Sequence, residues 1–459
     1  MEAVMSSRLI AVLAMLAAGC GGDQPCDAVA NTGCNDGQAC EVVQGGAPTC
    51  VAAVVAVGRV FDLDTNAGIA GARIVALDAN GAAVSFVATS AADGSYTLPI
   101  PTARNSAGAA AESFTITLRS DATGYVTFPA GIRPALPFDT SSAVLTNGRY
   151  EIKSALTDVG LLKIPAGGPA TGTINGHIAD NATHASALVV AEVAGIGHTA
   201  IAGRDGDYTI FNVPAGSAAV SAYARGYNYA PKTIDLGAGA TAAVNLDLGA
   251  AAASTVTGSV SIVNGQNGTA TSVILVLEST FNAALARGET PPGLRAPDPG
   301  IAPNVTGAFS IMGVPAGKYV VLAGFENDNL VRDESGIGGT SIVHQEVVAG
   351  QDAIIATGFK VTGADDIVSP GALGPEMVTG TPTFKWLDDS SEDRYTVTVF
   401  DSYGNVVWES GTGRSVVTLA YGGPALKPGM YYQFRVASIK DPSAVISRSE
   451  DLKGVFFLP

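Results

Sequence analysis

Thiols, imidazoles and clustered carboxylates are the groups in this 459-residue chain that could do nucleophilic or metal chemistry, and they are sparse. Cys26, Cys34, Cys40 and Cys50 share one short stretch rich in turn formers such as Asn31-Thr32-Gly33 and Asp36-Gly37-Gln38. An even set of cysteines in an exported chain predicts two disulfides, with three connectivities open. A zinc site of four thiolates is the other chemistry, but the CxxC pairs typical of structural zinc are absent. His177, His184, His198 and His344 form no HExxH pair, and Glu192 is not at ligand spacing from the first three. His177 reads as an ordinary strand residue. No GxSxG elbow, Walker A loop or GxGxxG after a strand occurs, and Gly336-Ile337-Gly338-Gly339 lacks the Lys of a phosphate cradle. Two acidic loops, Asp62-Leu63-Asp64-Thr65-Asn66 and Glu326-Asn327-Asp328-Asn329, offer oxygens to Ca²⁺ without the full EF-hand series. Asp and Asn are also the normal residues of β-turns, and the run from Asp388 to Asp393 reads most simply as a solvated turn. The expectation is no catalytic residue, no metal and no cofactor.

Cys20 is the exception, because of what precedes it. Arg8 leads an apolar run from Leu9 to Leu16, followed by Ala17-Ala18-Gly19-Cys20. A charged start, a short apolar core and small residues before a cut site define an export signal. The run is shorter than the roughly 20 apolar residues that cross a bilayer. Leu16-Ala17-Ala18-Gly19-Cys20 resembles the lipobox of bacterial lipoproteins, with its aliphatic residue one place further upstream than usual and Ala17 in its slot. The resemblance implies cleavage before Cys20 and acylation of its thiol and new amino end. Several acyl chains on one residue would anchor the protein to a membrane. Gly21-Gly22, in place of Asp after the lipidated Cys, implies the outer membrane.

These groups must be carried by something, and the composition says by strands. The chain is 47% hydrophobic and 14% charged, with 56 Gly and 24 Pro. Sustained helical periodicity is hard to find, whereas short Val- and Thr-rich runs between turn signals are common. The net charge of −16 disfavours phosphate backbones, so nucleic acid is not an expected partner.

One pattern recurs three times in the same order. The first copy has Val57-Gly58-Arg59-Val60, Arg73-Ile74-Val75-Ala76-Leu77, Asp93-Gly94-Ser95-Tyr96-Thr97-Leu98 and Gly124-Tyr125. The second has Ile174-Asn175-Gly176-His177-Ile178, Leu188-Val189-Val190, Asp205-Gly206-Asp207-Tyr208-Thr209-Ile210, Val213-Pro214-Ala215-Gly216 and Gly226-Tyr227. The third has Val256-Thr257-Gly258-Ser259-Val260, Val273-Ile274-Leu275-Val276, Gly307-Ala308-Phe309-Ser310-Ile311, Val314-Pro315-Ala316-Gly317 and Gly324-Phe325. Asp-Gly before an alternating aromatic strand is a tight-hairpin signal. Together these motifs resemble the carboxypeptidase regulatory-like domain, a transthyretin-like β-sandwich with no catalytic residues of its own. Near the C-terminus, Phe384-Lys385-Trp386, Tyr395-Thr396-Val397-Thr398-Val399 and Leu426-Lys427-Pro428-Gly429-Met430-Tyr431-Tyr432 resemble a fibronectin type III domain. In that resemblance Trp386 is the core Trp of an early strand and Tyr432 the tyrosine-corner residue.

The predicted fold class is therefore all-β, with tandem β-sandwich modules. The expected order is a lipoprotein signal (1–19), a lipidated Cys-rich linker (20–52), three transthyretin-like modules (53–165, 170–250 and 253–363) and a fibronectin type III-like domain (370–459). Ala166-Gly167-Gly168 and the stretch from Gly249 to Ala253 read as flexible linkers. The insert from Pro101 to Ser113 reads as a polar loop. The insert from Asn282 to Asn304, with Pro291-Pro292, Pro297 and Pro299, reads as an extended exposed loop. The expected function is non-enzymatic: an outer-membrane lipoprotein displaying modules for protein interaction or structural support. The alternative is a surface lipoprotein that binds polysaccharide or matrix, with Trp408 as the candidate sugar contact. The envelope partner itself is not legible.

Overall fold

The computed structural model describes residues 26–459 except 29, 132, 180–185, 264–268, 284, 325, 327, 333–341 and 390. The export signal, Cys20, His184 and Gly336–Gly339 lie outside the described residues. Among those described the chain is all-β, its only helices short 3₁₀ turns such as Ala155–Thr157 and Glu278–Thr280. No helix is long and apolar enough to cross a membrane among the described residues.

The three copies share one strand plan. In each, the opening strand pairs antiparallel with the strand that follows the turn and parallel with the closing strands. Val54–Asp62 lies between Ser95–Pro99 and the pair Arg149–Ile152 and Val159–Leu161. Thr171–His177 lies between Asp207–Pro214 and Thr241–Ala243. Ser254–Val263 lies between Ala308–Val314 and the pair Ala353–Ile354 and Phe359–Gly363. A second sheet in each copy is built on an antiparallel pair: Arg73–Leu77 with Thr115–Asp121, Leu188–Val193 with Gly216–Ala224, and Val273–Leu277 with Gly317–Ala323.

A shared packing detail explains the recurring Gly in the opening strand. Tyr96 Oη donates to the Thr157 carbonyl at 2.5 Å, and Tyr208 Oη donates to the Val244 carbonyl at 2.5 Å. Both hydroxyls pass over the opening strand at Gly58 and Gly176. A Cβ there would stand 2.0 Å from the Thr157 oxygen and 1.8 Å from the Val244 oxygen, closer than any side chain tolerates. In the third copy Phe309 has no hydroxyl, and its ring fills the space beside Gly258.

The segment after Ile367 forms two further sheets, one on Thr383–Trp386 and one on Arg394–Asp401 with Tyr431–Lys440. Phe384, Trp386, Tyr395, Phe434 and Phe456 make its core. Tyr432 Oη accepts the backbone N–H of Lys427 at 2.8 Å, so the side chain ties the strand to the loop before it.

The units do not hang as beads. Residues 74–77 of Arg73–Leu77, 188–191 of Leu188–Val193 and all of Val273–Leu277 are apolar and buried on both faces. In the first two units one face fills the unit's own sandwich. The other joins the core of the third unit, where Val75, Leu77, Leu188, Val190 and Ile201 belong with Leu275, Tyr319 and Val321; the outer face of Val273–Leu277 packs apart, as Ile274 and Val276 with Val320 and Leu322. A strand buried on both faces reads as a continuous apolar run, unlike the alternation of a half-solvated sheet. The stretch expected to flex, Gly249 to Ala253, is held as well: Asn228 Nδ2 donates to the Ala251 and Ala252 carbonyls at 3.1 and 2.6 Å, and its Oδ1 accepts the Ala316 N–H at 2.6 Å.

One insert departs from the sequence reading. The region from Asn282 to Asn304 is not an extended exposed loop. Leu294 is fully buried, Arg295–Ala296 is a buried strand paired with Val273–Leu277, and Thr290 Oγ1 donates to the Asn80 carbonyl at 2.9 Å. In the Pro101–Ser113 loop, Arg104 is buried and ion-paired to Glu41 at 2.5 Å, and it donates to the Ala52 carbonyl at 2.9 Å. It thereby docks the Cys-rich hairpin, Gln38–Val42 with Pro48–Ala52, onto the first unit.

Candidate functional site

The Cys-rich hairpin settles the connectivity left open by the sequence. Cys26 pairs with Cys40 and Cys34 with Cys50. The four thiols are thus used as staples for a segment with too little apolar content to fold on its own.

In the two acidic loops Asp62 and Glu326 are bound by neighbouring protein groups, whereas Asp328 Oδ2 is buried without a hydrogen-bond partner. Asp62 is buried, and its carboxylate accepts the N–H groups of Asp64 and Thr65 at 3.0 and 2.9 Å, the Tyr125 hydroxyl at 2.9 Å and the Lys163 ammonium at 2.9 Å. Lys163 and the Thr65 N–H hold its pKa well below the usual carboxylate range. Glu326 is paired to Arg295 at 2.7 Å and to Asn80 and Ser272 at 2.9 and 2.5 Å.

The histidines are dispersed. His177 Nδ1 meets Asp207 at 2.8 Å and His344 Nδ1 meets Glu278 at 2.9 Å, both on exposed surface. Neither pair carries a hydrogen-bonded hydroxyl or thiol among the described residues, so no nucleophile is activated there. His198 is half-buried, and burial pushes its pKa down.

His198 lines a cleft of about 1210 Å³ to which all four units contribute walls. Its floor is an ion-pair network. Arg119, 1% exposed, reaches Asp121 at 3.1 Å and Glu289 at 2.6 Å, and donates to the Thr199 carbonyl and hydroxyl at 3.1 and 3.0 Å. One guanidinium therefore joins the first, second and third units. Burial opposes its charge, but Asp121 and Glu289 outweigh burial and raise its pKa further. Across the cleft, Asp451 bridges Arg287 of the third unit and Arg435 of the C-terminal unit, the latter at 2.5 Å. Burial pushes Arg435 down to about 10 despite Asp451.

Five arginines line the cleft (119, 133, 287, 435 and 448) against four carboxylates (Asp78, Glu278, Glu289 and Asp451). That is a local excess of one positive charge in a chain of net −16. Tyr125, Phe211, Phe281 and Phe400 add half-buried aromatic faces. None of these residues was singled out as a binding group from sequence. The one available signal was Arg119 next to Asp121 on the polar face of an alternating strand, Thr115–Asp121.

Trp408, the sugar candidate, lies away from the cleft. It is half-buried, with its ring 5.1 Å from Tyr421 and 6.1 Å from Phe384, at the margin of the C-terminal core.

No family model matches the chain, and no curated protein matches it. Among solved structures it is similar to the Bacillus anthracis TIE protein, at 11% identity over 86% of this chain and 68% of that one, with a TM-score of 0.15. It is also similar to the streptococcal ancillary pilin, at 12% identity over 68% of this chain and 99% of that one, TM-score 0.18. BcpA, the major pilin subunit of Bacillus cereus, matches at 9% identity over 68% of this chain and 100% of that one, TM-score 0.17. At such scores the likeness carries no argument about family or function, and the all-β assignment rests on the strands themselves.

Proposed function

We propose that this chain is a non-enzymatic envelope lipoprotein, anchored through Cys20, whose β-sandwich units form one stiff body for protein interaction or structural support. The observation that carries the reading is the shared apolar cluster, with Arg119 at its edge, that fixes three units to one another. A binding protein made of independent beads does not need strands buried on both faces. A load-bearing or spacing element does. The Gly–Tyr packing of the first two copies, with Phe309 beside Gly258 in the third, supports a common origin for the three in a carboxypeptidase regulatory-like domain. The Tyr432 bond to Lys427 supports a fibronectin type III-like last domain.

The anchor is tested by metabolic labelling with an alkyne fatty acid in the native cell. Wild type takes label and sediments with the outer membrane; Cys20→Ser takes none and is released. Unlabelled wild type would sink the anchor. The interaction role is tested by photo-crosslinking from Ile196, an exposed residue on the cleft rim, and identification of the adduct.

The polysaccharide reading is favoured by one observation, the aromatic and arginine lining of the cleft, and moves there from Trp408. Saturable glycan-array binding lost on Phe281→Ala but kept on Trp408→Ala supports it. A flat array removes it.

A further inference from the structure

The four thiols of the Cys-rich hairpin stand closer together than two separate staples require. Cys40 and Cys50 lie directly opposite one another across the strands Gln38–Val42 and Pro48–Ala52, yet each is bonded elsewhere. The Sγ atoms of Cys26, Cys34 and Cys50 all lie within 4.8 Å of one another. Cys40 Sγ is bonded to Cys26 Sγ, so the fourth sulfur abuts the same group. No other set of three or more His, Cys, Asp or Glu side chains among the described residues converges in this way.

The spacing of the cysteines does not announce this. Seven, five and nine residues separate them in turn, where structural zinc sites usually carry closely spaced pairs. The fold supplies the proximity instead. The hairpin register brings Cys40 to Cys50. Asn31, from the segment between Cys26 and Cys34, accepts the Cys40 N–H on its Oδ1 at 2.7 Å and ties that segment to the hairpin. Neither device is itself a sulfur–sulfur bond.

We propose that the hairpin is a redox-switched zinc site: when its disulfides are reduced, Cys26, Cys34, Cys40 and Cys50 bind one Zn²⁺ as four thiolates, and the metal takes over the stapling. Four sulfurs at about 2.3 Å from a tetrahedral ion stand about 3.8 Å apart. Sulfurs already gathered within 4.8 Å need only small movements once the S–S bonds open. An all-sulfur tetrahedron suits Zn²⁺, which has no redox chemistry of its own and leaves thiolates unoxidised. Cys34 and Cys50 are half-buried, whereas Cys26 and Cys40 are buried, so a reductant in solution reaches the Cys34–Cys50 bond first. A dithiol gives that bond two electrons and two protons and becomes a disulfide itself. A thiolate freed at Cys34 or Cys50 then lies within 4.8 Å of Cys26 Sγ and carries the exchange inward: it bonds to Cys26 and releases Cys40 as the thiolate. A second dithiol reduces the new bond. Zn²⁺ displaces the four thiol protons, and reoxidation to the two disulfides expels it.

The test uses the full chain carrying Cys20→Ser, whose only thiols are these four. Reduced with a phosphine under nitrogen, it should bind one Co²⁺ per chain, with thiolate-to-cobalt charge-transfer bands and the strong visible bands of a tetrahedral site. Equimolar Zn²⁺ should displace the Co²⁺, as the order of metal affinities requires, with a nanomolar or tighter dissociation constant. The oxidised chain should bind neither metal. Limited proteolysis reports the fold: reduction opens cleavage between Cys26 and Val54, and Zn²⁺ restores protection. A further Cys34→Ser change should shift and weaken the charge-transfer bands and loosen Zn²⁺ binding. No charge-transfer band in the reduced four-thiol chain, or bands that Cys34→Ser leaves unchanged, overturns the proposal. So does Zn²⁺ bound without recovered protection, since loose thiols of an unfolded segment would chelate it equally. If the Cys34→Ser chain does not fold, titration and proteolysis of the four-thiol chain decide.

Discussion

Gly58 and Gly176 stand beneath two tyrosine hydroxyls, and their missing side chains let those hydroxyls reach a closing-strand carbonyl. Each bond satisfies a buried acceptor that would otherwise be stranded. Tyr96→Phe and Tyr208→Phe should each cost about 1–3 kcal/mol, the penalty of an unsatisfied buried carbonyl. Gly176→Ala should cost more, because a Cβ at 1.8 Å from a backbone oxygen forces the two strands apart. Urea midpoints of the three variants check the order, and a Gly176→Ala midpoint above that of Tyr208→Phe would refute the packing account. The Gly and the Tyr were both visible in the sequence as repeat positions. Their mutual contact was not, since it depends on a segment 61 residues on in the first copy and 36 in the second being folded against them in register.

At the scale of elements, the hairpin Gln38–Val42 with Pro48–Ala52 shows what staples do for a segment without a core. Its disulfides close loops of 14 and 16 residues, each worth about 3 kcal/mol in the chain-entropy account. Cys34→Ser with Cys50→Ser should therefore release the hairpin, while Arg104 and Glu41 alone are too few to hold it. Limited proteolysis checks this: new cleavage is expected between Cys26 and Val54, with the sandwich core from Val54 onward intact. Cysteine count and spacing predicted stapling, but the pairing required the hairpin register, in which Cys40 faces Cys50 across the strands without bonding to it. The strands Arg73–Leu77, Leu188–Val193 and Val273–Leu277 teach the converse. Their runs Ile74-Val75-Ala76-Leu77, Leu188-Val189-Val190-Ala191 and Val273-Ile274-Leu275-Val276 are continuous rather than alternating, which is a legible sign of burial on both faces. What lay on the far face was not legible, and neither was the role of Arg119 and Glu289, whose partners come from distant parts of the chain.

The whole molecule is a set of sandwiches joined by buried ionisable groups, so its shape and its pH response should move together. At neutral pH, scattering in solution should fit one compact particle; a profile of four separated beads would contradict the shared cluster. The joints between units hold carboxyls whose pKa values burial has raised. Asp328 is lifted to about 7, with Glu450 and Glu326 adding repulsion against the Leu330 and Thr271 bonds. Asp78 is lifted to about 6, with the Ala82 and Asn80 N–H groups and Arg295 opposing. A carboxyl with a folded pKa above its unfolded value near 3.8 keeps its proton longer when folded. The stability it contributes is present at low pH and is lost as pH rises through the folded pKa. Asp62 and Asp451 work in the opposite sense. Lys163 lowers the first, and Arg287 and Arg435 outweigh burial to lower the second. Their contribution is lost as pH falls below about 4. The thermal midpoint should therefore climb as pH drops from about 8 to about 5, then fall below about 4. Asp328→Asn should make the upper limb shallower, leaving the part due to Asp78 and Asp365, without touching the lower one. A midpoint that rises steadily between about pH 5 and 8, with Asp328→Asn parallel to wild type, would mean that Asp328 is not the group that couples proton uptake to closure of the joint.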